Sequence, residues 1–490
     1  MPVEVVRSIP RHPPWVADFP LVLVATAVLF AVLDLSALGA SRTLGLALMA
    51  LLALSMVLYA AFRWPPTIAY FAIGWLVFEK VVEGHAGQHA GQIAQASNGF
   101  LLVTLAWTFL VNLIRRHVPL FTFQQVGAPL AAFVALGVAS AIANDVPPTV
   151  ALLGVLSPIH SMIIFLVVVN IGIHAQHISR FIVATLVITT IISLIGVLQE
   201  APHSPLWGLS LGTREQTAAH LARVNGVFES AIGFGDLLAT VLPLALMMLF
   251  FHTARGRLRT LLIVGTLIMT AALILTFTRE AWAALLFATL LLGAVVERRL
   301  LRVFFFSIMP ILVPIGIIAS PIATRLRETA QGNLRFTLLQ HTVPVIRDHL
   351  ALGAGPGRFG GNVALTTHTP LYAEYHIPQF TYATGGQIDM FWTHTLAESG
   401  LLGTAAYLAA IVACFLVGRR AYRFAISPQR KAAVLGLLYA APVTVFCALF
   451  SSVLEASGPA ALFWSFMGML TVLALNPESS PHLRSVDHDL

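Results

Sequence analysis

The chain has 490 residues, 58% hydrophobic and 10% charged, with a mean hydropathy of +0.86. Soluble domains carry about 25% charged residues, so this composition excludes a soluble globular protein. The formal net charge of +7 needs no nucleic-acid partner, because basic loops on the cytoplasmic side of a membrane protein produce it.

The first apolar stretch, near 19–39, follows Arg7 and Arg11. It is long, and Ala37-Leu-Gly39 is a poor cleavage site, so it reads as an uncleaved span rather than a signal peptide. Further spans are expected near 43–62, 67–82, 96–114, 126–143, 149–173, 181–198, 233–252, 260–277, 281–296, 303–320, 389–417, 432–454 and 459–475. Each has roughly the 20 residues that cross a bilayer core. The expected fold is therefore an all-α polytopic membrane protein of about 12–14 transmembrane helices with one large outer loop that is partly helical. Four regions are expected: a scaffold over 1–198, helices with arginine-bearing outer loops over 199–320, the large loop at 321–388, and the C-terminal helices with a short cytoplasmic tail at 389–490. Cys414 and Cys447 both lie in apolar runs, which gives neither a disulfide framework nor metal-type spacing.

Short connections fix the orientation. With the N-terminus inside, Arg63, Arg115, Arg116, Arg180, Arg255, Arg257, Arg259 and the 298–302 and 419–423 clusters all face the cytoplasm. The exceptions are informative. Arg214, Arg223, Arg279, Arg325, Arg327, Arg335, Arg347 and Arg358 all fall on the outer side. A guanidinium is a planar fork of donors suited to phosphate and carboxylate oxygens. So many on the disfavoured side point to an anionic ligand, or else to pairing with Glu215, Glu229, Glu280, Glu328 and Asp348.

In chain order, the loop at 83–95 carries His85 and His89 without further ligands at metal spacing and reads as a solvated connection. Arg223-Val-Asn225-Gly226-Val-Phe228 then precedes the span holding Asp236. Thr278-Arg279-Glu280 makes a tight outer corner, where a charge at the membrane surface is costly without a partner. Residues 333–350 have apolar positions at helical spacing and read as an amphipathic surface helix. Gly353-Ala-Gly355-Pro-Gly357-Arg358-Phe359-Gly360 lacks the strand and the Gly-Lys-Ser/Thr ending of a nucleotide loop, and reads as a sharply folded turn. Tyr372, Tyr375, Phe380, Tyr382, Phe391 and Trp392 suit sugar stacking and a membrane interface equally.

The order of these pieces resembles the O-antigen ligase and O-antigen polymerase family. They are Arg-x-x-Gly-x-Phe before a span, Thr-Arg in a corner, Arg then Gly-x-Gly-x-Gly-x-Phe in a large outer loop, and Glu398-Ser-Gly400-Leu-Leu-Gly403 in the next helix. The resemblance covers roughly residues 190–410. It implies a metal-independent, inverting glycosyltransferase with no cofactor, acting at the periplasmic face of the cytoplasmic membrane. The donor would be a glycan on undecaprenyl pyrophosphate, and the acceptor a saccharide or lipid A–core. Arg223 and Arg279 would hold the pyrophosphate, with Arg335, Arg358 and Glu398 as further substrate-binding candidates.

The base departs from the family pattern. Ligases carry a histidine nine residues before the Glu-x-Gly glutamate; here that position is Asp389, an aspartate as in exopolysaccharide-polymerase-like relatives. His394 is an alternative, because it shares a helix face with Glu398 at i,i+4. Asp389 and His394 lie about 140° apart around a helix and would not act together on one. The aspartate tilts the expectation toward a polymerase of surface polysaccharide repeats, with ligation to lipid A–core and protein O-glycosylation as neighbouring branches. The rival is a lipid-linked-glycan transporter or flippase, which would show repeats and ionisable midplane sites rather than charge at the outer edge.

Overall fold

A computed structural model describes residues 65–85, 99–110, 124–201, 204, 206, 223–303, 305, 334–367, 369–377 and 390–476. Residues 1–68 and 69–490 form separate compact units, and of the first only the opening turn of one helix is described. The expected spans at 19–39, 43–62 and 303–320 lie outside the described residues.

Among the described residues every regular element is helical. They are α1 (Pro65–His85), α2 (Gly99–Leu110), α3 (Gln124–Ala143), α4 (Pro148–Ile159), α5 (Met162–Asn170), α6 (Ala175–Gln199), α7 (Ala231–Phe250), α8 (Gly256–Leu275) and α9 (Arg279–Val295). Next come α10 (Arg299–Val303), α11 (Leu334–Asp348), α12 (Asn362–Thr366) and α13 (Leu371–Glu374). The last are α14 (Phe391–Arg423), α15 (Pro428–Leu438), α16 (Ala440–Cys447) and α17 (Ser457–Leu475). Seven described segments are long and apolar enough to cross a membrane, or eight if a bent pair counts as one span. The chain is an all-α polytopic membrane protein.

That bent pair is α4 and α5, where the sequence suggests one continuous span over 149–173. The helix turns by 58° at residues 160–161, just after Pro158, whose ring cannot continue the hydrogen-bond ladder. The break lets α4 run beside the loops at one end while α5 enters the core.

The core is organised around α17, in which Phe463, Trp464, Phe466 and Met467 are fully buried. Such a helix, apolar all round, has only protein neighbours. It packs against α5, α14, α15 and α7. Trp464 meets Phe165 of α5 and Tyr407 of α14, each with ring centroids 6.2 Å apart. Tyr407 in turn meets Phe133 of α3 and Phe391, both at 5.2 Å. This aromatic cluster is the floor of the functional end of the bundle.

The amphipathic helix expected at 333–350 is observed as α11. Val345 is buried against a small second core with Phe359, Leu371, Tyr372, Ile377 and Ala397, while Arg347 stays exposed. Tyr372 accepts the Gly360 N–H at 2.8 Å, and Tyr375 donates to Asp348 at 3.0 Å. Burial and that carboxylate push the Tyr375 phenol up to about 12. The described parts of the large loop thus fold on a core of their own.

Candidate functional site

The helix α14 is broken by design of its sequence. Gly400 adopts φ 62°, ψ −171°, which interrupts the helix between Ser399 and Leu401. Among the helical hydrogen bonds that span this residue are those from Leu401 N–H to Ala397 and from Leu402 N–H to Glu398. The segment from Leu350 to Gly355 supplies partners for all four of these groups. Leu401 N–H and Leu402 N–H donate to Leu350 and Ala351 carbonyls at 2.8 and 3.2 Å. Ala354 and Gly355 N–H groups donate to the Ala397 and Glu398 carbonyls at 2.8 and 3.1 Å. Backbone groups within a membrane protein need such partners, each orphan costing several kcal/mol.

Two glycines make the approach possible. A Cβ on Gly353 (φ +77°) would strike the Glu398 carbonyl, and one on Gly400 would strike the Ala351 carbonyl. Asn144, beyond the end of α3, donates to the Gly353 carbonyl at 3.0 Å. Arg358 donates to the carbonyls of Asn144 at 3.2 Å and Ala354 at 3.4 Å. One terminal nitrogen of its guanidinium thus ties the loop to the residue after α3.

The side chains at the break form a buried polar chain. Glu398 Oε1 accepts the Phe359 N–H at 2.8 Å. Its Oε2 lies 3.3 Å from His394 Nε2, which realises the i,i+4 pair read from the sequence. The other imidazole nitrogen, Nδ1, lies 3.4 Å from Glu455 Oε2. Glu455 Oε1 accepts from Ser157 of α4 at 3.3 Å. The His394 side chain is only 5% exposed. A cavity of about 10 Å³, space for one water, lies among Gly154, Pro158, Pro356, His394, Glu398 and Glu455.

A second cluster holds the two arginines of the corners. Gln199, at the end of α6, bonds Gly226 in both directions, at 2.6 and 3.0 Å. This pins the segment before α7 to the end of α6, and the same segment meets the α8–α9 corner, where Val224 N–H donates to Leu275 at 3.2 Å and Arg223 Nε to Thr276 at 3.0 Å. Thr278 donates to Ala231 at 3.1 Å. Arg223 and Arg279 therefore sit on two segments joined by hydrogen bonds. Arg279 is the first residue of α9, exposed, and meets no carboxylate among the described residues.

A buried bridge joins the clusters. Asp236 Oδ2 of α7 accepts from Ser451 at 2.7 Å. The Ser451 and Ala448 carbonyls accept the Phe391 and Trp392 N–H groups at 3.3 and 3.4 Å. The turn after α16 thereby caps the start of α14 and places it at the same end as the arginine corner. A carboxylate within a candidate span that faces the bundle interior is costly, and such groups mark functional regions.

Several expectations find their place. Arg223, Arg279, Arg358, His394 and Glu398 gather at one end of the bundle, tied together by the bonds above. Arg335 falls in the first turn of α11, with its side chain outside the described residues, and Asp389, Phe380 and Tyr382 lie outside them altogether. Tyr372 and Phe391 are 2% and 0% exposed, so of the two uses considered for the aromatics they serve neither; they are core. The sequence reading missed Glu455, Ser157 and Ser451. A lone acid in a connection of a few residues between two spans was the available signal for Glu455.

These features define a multi-pass helical membrane protein whose arginine corners and loop-plugged helix converge at one end. Residues 264–408 match a family model described as O-antigen ligase, so this part of the chain is similar to that family. The match runs from α8 through Arg279, the glycine-rich loop and Glu398 to α14; Arg223 and Glu455 lie outside it. No curated protein matches the chain.

Proposed function

We propose that the chain is an inverting glycosyltransferase of the cytoplasmic membrane, with its site on the periplasmic face. It moves saccharide from undecaprenyl pyrophosphate to an acceptor hydroxyl. The observation that carries this reading is the joining of the Arg223 and Arg279 segments beside the start of α14. Arg279 supports diphosphate binding in particular. A cation at a helix N-terminus is opposed by the helix dipole, and an anion relieves both. Thr278, at the cap position, spends its hydroxyl on Ala231 rather than on the helix.

In the proposed step the acceptor O–H gives its proton to a base while its oxygen attacks the anomeric carbon. The bond from that carbon to the pyrophosphate oxygen breaks, and the electron pair leaves on the lipid carrier. Arg223 and Arg279 neutralise the developing charge, the largest electrostatic task in such a transfer. No metal is assigned a role, so transfer is expected to survive chelation by EDTA.

Asp389 is the proposed base, one residue before the cap of α14. His394, the alternative, has both nitrogens facing carboxylates, which suits it to orienting its neighbours. Arg358 and Glu398 act by holding the loop. Arg335 remains a candidate for the outer edge of the substrate.

The preferred acceptor is a second carrier-linked glycan, which makes the protein a polymerase of surface polysaccharide repeats. The match to a model described as O-antigen ligase favours the second reading, transfer to lipid A–core. Deleting the gene and analysing the glycans separates them. Single repeats left on the surface indicate a polymerase, and full-length glycan accumulating on the carrier indicates a ligase. Movement of lipid-linked glycan across liposomes by the purified protein, with no glycosidic bond formed, would overturn both.

A further inference from the structure

Glu455 has no part in donor binding as proposed above and lies outside the family match. It nevertheless closes the buried polar chain. From it the contacts run to His394 Nδ1 (3.4 Å), across the ring from Nε2 to Glu398 (3.3 Å), and on to the Phe359 N–H (2.8 Å). A side branch reaches Ser157 of α4. One carboxylate thus touches, directly or through one ring, the turn before α17, α14, α4 and the glycine-rich loop.

We infer that Glu455 is a positioning residue of the proposed transfer site, acting through the His394 ring on the Glu398 carboxylate and the loop it holds. An imidazole has a broad, roughly two-fold preference about its last torsion, so contacts decide its orientation. Here the Glu455 carboxylate lies 3.4 Å from one nitrogen, and its charge favours the edge presented to Glu398. With side-chain exposures of 5%, 6% and 11% for His394, Glu398 and Glu455, bulk water is a poor substitute for any of the three. Gly361 packs on the same ring, where an added Cβ would lie 3.1 Å from His394 Cε1. A turned ring therefore presses on the loop as well as releasing Glu398.

The inferred role depends on charge rather than volume. Removing one member of a buried charged set leaves the others unmatched in a medium that screens them little. Glutamine at 455 keeps the shape and a hydrogen-bonding group but removes the charge, so it should behave like alanine.

This inference rests on the transfer reading for its kinetics but has a structural readout of its own. Full-length wild type, Glu455→Gln, Glu455→Ala and Ser157→Ala would be reconstituted in liposomes with a polyprenyl-pyrophosphate-linked saccharide. Both Glu455 variants are expected to lose about tenfold or more in kcat, the scale of a sub-ångström to ångström misplacement. The donor KM should stay nearly constant, because the diphosphate contacts are untouched. In parallel, hydrogen exchange over 353–361 should quicken in Glu455→Gln and stay unchanged in Glu297→Gln, whose partner Tyr422 lies at the other end of α14. Wild-type kcat and wild-type exchange in Glu455→Gln would overturn the inference, as would a glutamine variant that matches wild type while alanine fails. Faster exchange in Glu455→Gln, in a protein whose wild type forms no glycosidic bond, would uphold the positioning role and sink the transfer reading instead. Should Glu455→Gln fail to insert, Ser157→Ala decides: quicker exchange over 353–361 upholds the inference, and unchanged exchange overturns it.

Discussion

Glu398 holds Phe359 by its side chain and Gly355 by its backbone. The carboxylate accepts one N–H at 2.8 Å and the carbonyl accepts the other at 3.1 Å. A residue expected to meet substrate is thus the fastening between a membrane helix and the loop above it. Glu398→Ala should lower stability by about 1.5–3 kcal/mol, the range for a hydrogen bond to a charged group. Glu398→Gln, which keeps an acceptor oxygen, should lose less. Unfolding midpoints of the purified protein in detergent, followed by tryptophan fluorescence, would check this; equal midpoints for alanine and wild type would remove the fastening role.

Adding a methyl group at the break should be far worse than adding one at an exposed turn. Gly400→Ala and Gly353→Ala each place a Cβ against a backbone carbonyl in a left-handed conformation. Gly256 also has positive φ, +53°, but nothing lies within 4 Å of its Cβ position. Its alanine variant should cost only about 1–2 kcal/mol, the left-handed penalty alone. The yield of monodisperse protein on size exclusion should rank wild type, Gly256→Ala, then the other two. Normal yield of Gly400→Ala would show that the loop yields easily.

The two corner arginines should separate stability from transfer. Arg279→Ala is expected to abolish glycan transfer while insertion and melting stay normal, because its exposed side chain meets no carboxylate among the described residues. Arg223→Ala should lose transfer and also loosen the corner, since its Nε holds the Thr276 carbonyl. Lysine should rescue Arg279 poorly, lacking the planar fork. Full transfer by Arg279→Ala in membranes would detach this corner from the donor.

Asp389 and His394 should fail in different ways. Asp389→Asn is expected to reduce transfer by about a hundredfold or more, the usual contribution of a positioned base, with an unchanged melting point. His394→Ala should instead destabilise the fold, by about 3–5 kcal/mol on the scale of a broken buried charge set, because Glu398 and Glu455 lose the ring between them. Comparing initial rates with melting curves for both variants would decide; a stable, inactive His394→Ala beside an active Asp389→Asn would make the histidine the base.

Much of this was legible in the sequence because the bilayer imposes so coarse a rule. Apolar length alone identified α3, α6, α7, α8, α14 and α17, and the i,i+4 spacing alone paired His394 with Glu398. Composition does not reveal where a helix breaks. Pro158 is one residue of an apolar run and Gly400 one residue of the Glu398-Ser-Gly400 motif, yet one bends a span and the other admits a loop. Partners distant in sequence were hidden for a related reason: Glu455 and Ser157 lie 298 residues apart, and only the packing of α4 against the turn before α17 brings them together. Arg358 could be read only as one more outer arginine, because its bonds to the Asn144 and Ala354 carbonyls depend on how the loop folds.

The break at Gly400 also bears on how such a protein can be varied. Its loop and helix each contribute half of a shared set of backbone bonds, so neither half closes without the other. A chimera that takes residues 350–361 from a relative with different glycan specificity should fold only when residues 397–402 travel with them. The two segments, far apart in the gene, form one exchangeable cassette.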